Sequence, residues 1–355
     1  RNLDGVNIDF NGNKTLIIGK NAQGKTNILE AIYYLCTLDS YRIKKDSELI
    51  NFEADFTTIK SQIEKSDTDI ELEVIINPPK NKILKVNGIK KNKSSDFLRV
   101  LSAVNFSTTD LLLLRGEPQN RRKWLDLAIF QVYPQYYEKL SKFNKIRLQK
   151  ANYLSSGSIN NDMLDVYNIQ LAIMSANVMF LRKKYLTELI KIASVKHASM
   201  AQNEVLTLKY VSAIDEDLSV TELKDEIYKK LNEIKSDEIR RAQCLIGAHR
   251  DDIDFYINNR DAKKYASQGQ QRTIVLALKL AELQILKERI SHTPLLLLDD
   301  VLAELDSTRQ NYLLNSIEND IQMVITSVDT LAFEREFLEN VDIIHINNGA
   351  IGSIY

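Results

Sequence analysis

Three short stretches of this 355-residue sequence hold residue types that bind phosphate or a divalent cation. The first reads Gly19-Lys20-Asn21-Ala22-Gln23-Gly24-Lys25-Thr26, with Asn27 following. It lies between an apolar run, KTLIIG at 14–19, and a segment with Ile28, Ala31, Ile32 and Leu35 at helical spacing. Strand, glycine loop, then helix is the context a phosphate-binding loop needs. The glycines let successive backbone N–H groups turn inward toward an anion, and the helix N-terminus adds partial positive charge. Lys25 is placed to reach the β- and γ-phosphates of a nucleotide, and Thr26 to ligate Mg2+.

The second stretch is Leu295 to Leu298 followed by Asp299-Asp300. Four consecutive leucines fit a strand buried on both faces of a parallel sheet. A carboxylate at the C-terminal end of such a strand sits where ligands bind. Asp299 is expected to hold Mg2+, directly or through water, and Asp300 to polarise an attacking water. The third stretch, Ser267-Gln268-Gly269-Gln270-Gln271-Arg272, leads into a long amphipathic segment at 270–289. A Ser-x-Gly segment at a helix N-terminus is a second phosphate-binding device. One subunit needs only one phosphate loop, so the second device suggests a nucleotide sandwiched between two subunits. Candidate catalytic residues are Lys25, Asp299, Asp300 and Ser267. Residues 19–27 and Ser267, Gln268, Gly269 and Gln270 are the candidate nucleotide contacts.

The elements that must position these residues fall into three blocks. Residues 1–107 alternate strand and helix signals, including IELEVIIN at 70–77 and a hairpin around Asn87-Gly88. From 108 the pattern turns helical, opened by Glu117-Pro118. Periodicity over 119–153 and 162–195, with SSGSINND at 155–162 between, suggests an antiparallel helical hairpin with arms of ~50 Å. Pro134 should kink or break the first arm. A charged helix is expected at 219–240 and a second hairpin at 253–260. From 246 the strand–helix alternation resumes, with strands at 294–300, 322–327 and 341–347. The fold class expected is α/β, a split P-loop NTPase head made of 1–107 plus 246–355, with 108–245 as an inserted helical lobe.

Composition narrows the class. There are 47 Lys+Arg against 48 Asp+Glu, for a net charge of −1 and a pI near 6.5. Only 11 glycines occur, so Gly19, Gly24 and Gly269 weigh more than usual. Two cysteines, Cys36 and Cys244, with no Cys-x-x-Cys, fit a reducing cytoplasmic compartment. No apolar stretch approaches the ~18 residues that cross a bilayer, so no membrane is expected.

The order P-loop, Ser-Gln-Gly-Gln-Gln, LLLLDD, Leu305-Asp306 resembles the ATP-binding-cassette heads of chromosome-maintenance and double-strand-break repair ATPases. The stretches GKNAQGKTNILEAIYYL (19–35), FSTTDLLLLRGEPQNRRKWLD (106–126), GAHRDDIDFYINNRDAKKYASQGQQRTIVLALKLAE (247–282) and LLLLDDVLAELD (295–306) are similar to the RecF family of bacterial recombination mediators. The resemblance implies ATP and Mg2+ as cofactors and a homodimer formed on ATP, with Ser267 of one subunit on the γ-phosphate held by Lys25 of the other. It further implies binding to duplex DNA near single-strand gaps, and loading of RecA with RecO and RecR in repair, replication restart and the SOS response. A cytoplasmic, nucleoid-associated protein follows. Some positions depart from the pattern. Ala248 stands where the family has Pro. Asp300 stands where transporter cassettes have Glu, which implies slow hydrolysis used as a switch. Thr326-Ser327 stand where cassettes have a switch His. The first strand of the family is expected to be missing, and Arg1 is a candidate nucleotide contact.

A DNA contact has a candidate stretch. Residues 115–150 carry nine basic side chains against three acidic ones, a net +6, while 204–240 carry a net −4. Arg121, Arg122, Lys123, Lys142, Lys145 and Arg147 are the DNA candidates, through nonspecific phosphate contacts. Each could equally be part of a solvated helix face. Lys44 and Lys45 form a second candidate patch. Tyr133, Tyr136 and Tyr137 could stack on bases or pack in a core, and Trp124 reads as core. His249-Arg250-Asp251-Asp252 reads as an active-site loop or a structural network. The near-neutral total leaves an alternative open: a cassette ATPase that acts through protein partners without touching DNA.

Overall fold

A computed structural model describes residues 2–354 other than 4, 44, 66–67, 215–216, 332 and 348. Arg1 and Lys44 therefore lie outside the described residues. The chain forms two compact units: Arg1–Asp110 with Glu282–Tyr355, and Leu111–Ala281.

In the first unit β1 (Lys14–Ile18) runs into helix α1 (Lys25–Thr37). Strands β2 (Thr57–Lys65), β3 (Thr68–Ile76), β4 (Ile83–Val86) and β5 (Ile89–Lys91) follow, then helix α2 (Ser94–Leu98) and strand β6 (Ala103–Ser107). The second unit holds α3 (Leu112–Arg115), α4 (Pro118–Val132), α5 (Gln135–Ser155), α6 (Asn161–Met200), β7 (Leu206–Val211), α7 (Val220–Glu233) and α8 (Lys235–Arg241). It continues with β8 (Asp252–Ile257), β9 (Arg260–Asp261), α9 (Ala262–Tyr265) and the start of α10 (Gln268–Arg289), within which the division falls. The chain re-enters the first unit for β10 (Leu295–Asp299), α11 (Ser307–Asn315), β11 (Met323–Ser327), α12 (Arg335–Leu338), β12 (Asp342–Asn347) and β13 (Ala350–Ile354).

The first unit is built on a six-stranded sheet ordered β13-β12-β1-β11-β10-β6. All neighbours are parallel except β12 with β13. Its central strands read as apolar runs because both faces are covered: Leu16, Ile17, Leu296, Leu297 and Leu298 are fully buried. Helix α1 packs on β6, β10 and β11. A second, antiparallel sheet ordered β2-β3-β4-β5 alternates instead, with Leu72, Val74 and Ile76 buried. Its expected Asn-Gly hairpin is present, with Asn87 at φ +51° and Gly88 at φ +72°, the left-handed pair a two-residue turn requires.

The second unit corrects several expectations. Pro134 does break the first arm, so α4 ends at Val132 and α5 starts at Gln135. Helix α6 is longer than expected, 40 residues or about 60 Å. It is capped by Asn160, whose side chain accepts from the Asp162 and Met163 N–H groups. By length and composition α6 could cross a membrane, which overturns the reading that no stretch approaches that size. Its apolar side chains have protein partners, however: Leu164, Leu171, Ala176 and Leu189 are fully buried, and α5, α7 and β7 pack on it. The charged helix expected at 219–240 is two helices. The unit boundary also moves, from 245/246 to Ala281/Glu282. The reason is β-pairing and an ion pair: β8 pairs antiparallel with β7, and Asp252 binds Arg121 at 2.6 Å. The expected hairpin at 253–260 is formed by β8 and β9, with Asn258 and Asn259 both at positive φ.

Buried ion pairs hold this unit. Arg182 meets Asp126 at 2.8 Å, Arg121 meets Asp252, and Lys150 meets Glu238 at 2.5 Å with both side chains at most 1% exposed. Glu238 also accepts the Leu245 N–H at 2.8 Å. Lys150→Met leaves that carboxylate buried and unpaired, and should lower the unfolding free energy by about 3–5 kcal/mol. The double change Lys150→Met with Glu238→Gln should recover most of it. Urea midpoints of the two variants check this; equal loss in both would contradict it.

Candidate nucleotide site

The P-loop winds tightly because two of its positions tolerate no Cβ. At Gly19 a Cβ would lie 2.5 Å from the Ile346 carbonyl oxygen. Gly24 has φ +111° and would meet Leu3 at 2.7 Å. Ala22 also adopts a positive φ, +65°. The loop is braced from both flanks: Asn2 Nδ2 donates to the Ala22 carbonyl at 3.1 Å, and the Gly349 N–H donates to the Gln23 carbonyl at 3.2 Å. Lys25 is buried, and its Nζ donates to the carbonyls of Gly19 and Lys20 at 2.6 and 3.2 Å. The ammonium thus lies inside the curve of the loop, where a phosphate chain would be held.

Asp299 ends β10 at 6% exposure. Three hydroxyls from three segments reach its carboxylate. Thr26 Oγ1 donates to Oδ1 at 3.0 Å, Thr326 Oγ1 to the same oxygen at 3.1 Å, and Tyr41 OH to Oδ2 at 3.0 Å. Burial pushes its pKa up; the hydrogen bonds from Thr26, Tyr41 and Thr326 oppose that shift, and the neighbouring Asp300 adds to it. Asp300 has φ +54°, and its N–H donates to Thr326 Oγ1 at 2.9 Å. Its own Oδ1 is buried without a hydrogen-bond partner. Thr326, noted in the sequence only as standing where a switch His would be, therefore orders both acids.

Tyr41 escaped the sequence reading altogether. It lies in a strap, 39–42, tied to α1: Ser40 Oγ donates to the buried Glu30, and Arg42 Nη1 donates to Glu30 at 3.2 Å and Asn27 at 2.7 Å. No spacing rule marks such a strap, and its only signal is a polar, aromatic cluster directly after a helix.

The donor set suits Mg2+. Thr26 and Asp299 offer hard oxygens, and 3.0 Å is the separation of adjacent ligands in an octahedron with bonds of about 2.1 Å. The orphaned Asp300 oxygen is a further acceptor beside them. Among the described residues no three His, Cys, Asp or Glu side chains gather to hold a metal. The protein would thus supply only part of a shell, as in sites that share Mg2+ with substrate phosphates.

The Ser267 segment belongs to the other unit. Ser267 is exposed, and Gln268 with it. Ser267 Oγ accepts the Gln270 N–H at 3.2 Å while Gln270 Oε1 accepts the Ser267 N–H at 2.8 Å, a reciprocal cap on α10. Gln271 is held by Arg115, whose Nε donates to it at 2.6 Å. The serine hydroxyl keeps its proton to donate outward.

The DNA candidates divide. Arg121 is withdrawn from that role: it is 3% exposed, forks onto Asp252 at 2.6 and 3.0 Å, and donates to the Gly116 carbonyl. Arg122 is half-buried and donates to the Asp251 carbonyl at 2.7 Å, and Lys123 also has a partner. Lys142 and Lys145 are exposed on α5, and Lys45 on its loop; Arg147 is half-buried. Trp124 and Tyr136 are buried. Asp251 accepts from Tyr210 and Asp252 pairs with Lys263, so the His249–Asp252 stretch is a structural network within its unit.

A parallel sheet with a P-loop, an acid at the end of the strand two places along from the P-loop strand and a capped Ser-Gln-Gly segment beyond a helical insertion define the ATP-binding-cassette type of ATPase head. A family profile described as the RecF/RecN/SMC N-terminal domain covers residues 1–351. The chain is 38% identical to the DNA replication and repair protein RecF of Bacillus subtilis (strain 168), across 99% of this chain and 96% of that protein. The solved structure of the recombination mediator protein RecF-ATP in the RecFOR pathway superposes with a TM-score of 0.91 at 31% identity, covering 99% of this chain and 94% of that one. An Smc head bound to the C-winged helix domain of ScpA shares the fold, with a TM-score of 0.52 at 12% identity over 96% of this chain and 89% of that one. The chain belongs to the RecF family.

Tyr41→Phe removes a hydrogen bond that lowers the Asp299 pKa, so that pKa rises further and protons would compete better with a cation held there. Mg2+-dependent binding of a fluorescent ATP analogue should weaken relative to wild type as pH falls, by up to about tenfold, the scale of one hydrogen bond to a charged group. The variant should also lose binding at a higher pH than wild type as pH falls. Superimposable pH profiles would contradict this.

Proposed function

We propose that the chain is an ATP-driven DNA clamp of recombinational repair. The reading is carried by one observation, the Thr26–Asp299 oxygen pair beneath the P-loop. In this mechanism the backbone N–H groups of 21–26 and the Lys25 ammonium hold the phosphates of ATP. Thr26 and Asp299 would hold Mg2+, which would supply charge neutralisation at the phosphates. Ser267 of a second subunit donates its hydroxyl to that γ-phosphate, so two subunits close over two nucleotides. Asp300 orients the attacking water, and its short side chain makes hydrolysis slow, which suits a switch.

Closure brings two sets of exposed lysines, Lys142 and Lys145, onto duplex DNA beside a single-strand gap. With RecO and RecR the clamp then helps load RecA during repair, replication restart and the SOS response. Support comes from the relatives, one a DNA replication and repair protein and one a recombination mediator of the RecFOR pathway. A cytoplasmic, nucleoid-associated location goes with this role.

A second reading, a scaffold acting through protein partners without DNA, draws on the net charge of −1 and on Arg121 and Lys150 being used inside the fold.

Sedimentation tests the clamp. Lys25→Met and Ser267→Arg should each abolish ATP-dependent dimerisation, and Asp300→Asn should trap the dimer. An unchanged monomer fraction with and without ATP would overturn the mechanism. Retention of gapped duplex should require ATP and fall steeply with salt. Equal retention by apo and ATP-bound protein favours the scaffold.

A further inference from the structure

The loop that carries Ser267 is held from its far side by a carboxylate that the nucleotide reading does not use. Gln270 Nε2 donates to Glu204 Oε1 at 2.8 Å, while the same amide's Oε1 accepts the Ser267 N–H. A cap needs only the second of these bonds. The first adds something else. A carboxylate accepts and cannot donate, so it dictates which end of the amide faces it. Nε2 turns to Glu204, and Oε1 is left facing Ser267. A glutamine without that anchor keeps free rotamers, and fixing them costs entropy.

The anchor is itself rigid. Glu204 lies in the turn after α6, and its N–H donates to the Ala201 carbonyl at 3.1 Å. The next residue is pinned to the β8–β9 turn: the Val205 N–H donates to Asn258 Oδ1 at 2.8 Å, and the Asn258 N–H returns to the Val205 carbonyl at 3.0 Å. Asn258 Nδ2 holds the Asn203 carbonyl at 3.1 Å. The second carboxylate oxygen of Glu204 stands 3.6 Å from Nε2 of His197, buried in the last turn of α6. All of these groups belong to one unit.

We infer that Glu204 is a positioning residue for Ser267: acting through Gln270, it sets the serine's geometry and ties it to the C-terminal end of α6. What Ser267 does with that geometry rests on the proposed ATP-dependent pairing of subunits. The helical unit thereby has a direct mechanical link to the loop that would meet the second subunit's nucleotide.

The test compares full-length wild type, Glu204→Ala and Glu204→Gln by amide hydrogen exchange over 267–271 and by sedimentation with ATP. Gln at 204 still accepts from Gln270; Ala cannot. In Glu204→Ala exchange should rise and ATP-dependent pairing weaken, each about tenfold, the scale of one charge-assisted hydrogen bond. Glu204→Gln should stay within about twofold of wild type, and nucleotide affinity at the Lys25 site of the monomer, measured at protein concentrations too low for pairing, should be unchanged in both. Wild-type exchange in Glu204→Ala, looser amides with undiminished pairing, or equal damage in Glu204→Gln would each overturn the inference. A wild type that never dimerises, with looser amides in Glu204→Ala, would sink the pairing mechanism and leave the positioning role standing. If Glu204→Ala does not fold, Gln270→Glu removes the donor to Glu204 while keeping an acceptor for the Ser267 N–H, and serves for the exchange measurement.

Discussion

The first unit is organised around Asp299, a nearly buried carboxylate whose pKa burial raises. Removing a charge from water costs several kcal/mol unless hydrogen bonds replace the lost hydration. Asp299 obtains three, from Thr26 on α1, Thr326 on β11 and Tyr41 on the strap after α1. Those three segments can converge only because β11 lies between β1 and β10. Asp299 is in register with Thr326, and Thr326 with Ile17, which leads into the P-loop. The sheet order is therefore inseparable from the site: a parallel sheet in another order would leave the acid without its hydroxyls or the P-loop without its acid.

The helical unit meets the same constraint with opposite charges. Arg182, Arg121 and Lys150 are buried and each is matched by a carboxylate. Such pairs add little net stability but make each partner intolerant of the other's loss. They also spend basic side chains internally. A stretch with nine cations looks like a binding surface when counted along the chain, yet Arg121 and Lys150 face inward. What remains for an outside anion is narrower, with Lys142 and Lys145 exposed on α5.

What could be read from the sequence was whatever is contiguous. The P-loop, the leucine run into Asp299-Asp300, the Ser267 cap and both Asn-containing hairpins are local, since each depends on residues a few positions apart. Pro134 marked its break for the same reason. Tyr41, Thr326 and Glu204 were not legible, because each acts on a partner far along the chain and their types carry no spacing signal. The unit boundary was misplaced for a related reason: 246–281 looks like strand and helix locally, and only its pairing with Leu206–Val211 and Arg121 assigns it. In helix α6 apolar content and length meet those of a membrane span, yet Leu171 and Leu189 are fully buried in the unit.

The central claim is that the P-loop of one subunit and Ser267 of another complete one nucleotide site. The most direct measurement mixes Lys25→Met and Ser267→Arg proteins, each labelled differently, and reads hetero-association with ATP by energy transfer. Each protein alone should stay monomeric. The mixture should associate, because the Lys25→Met subunit still brings Ser267 and the Ser267→Arg subunit still brings Lys25, restoring one of two composite sites. A mixture as monomeric as its components would contradict the account.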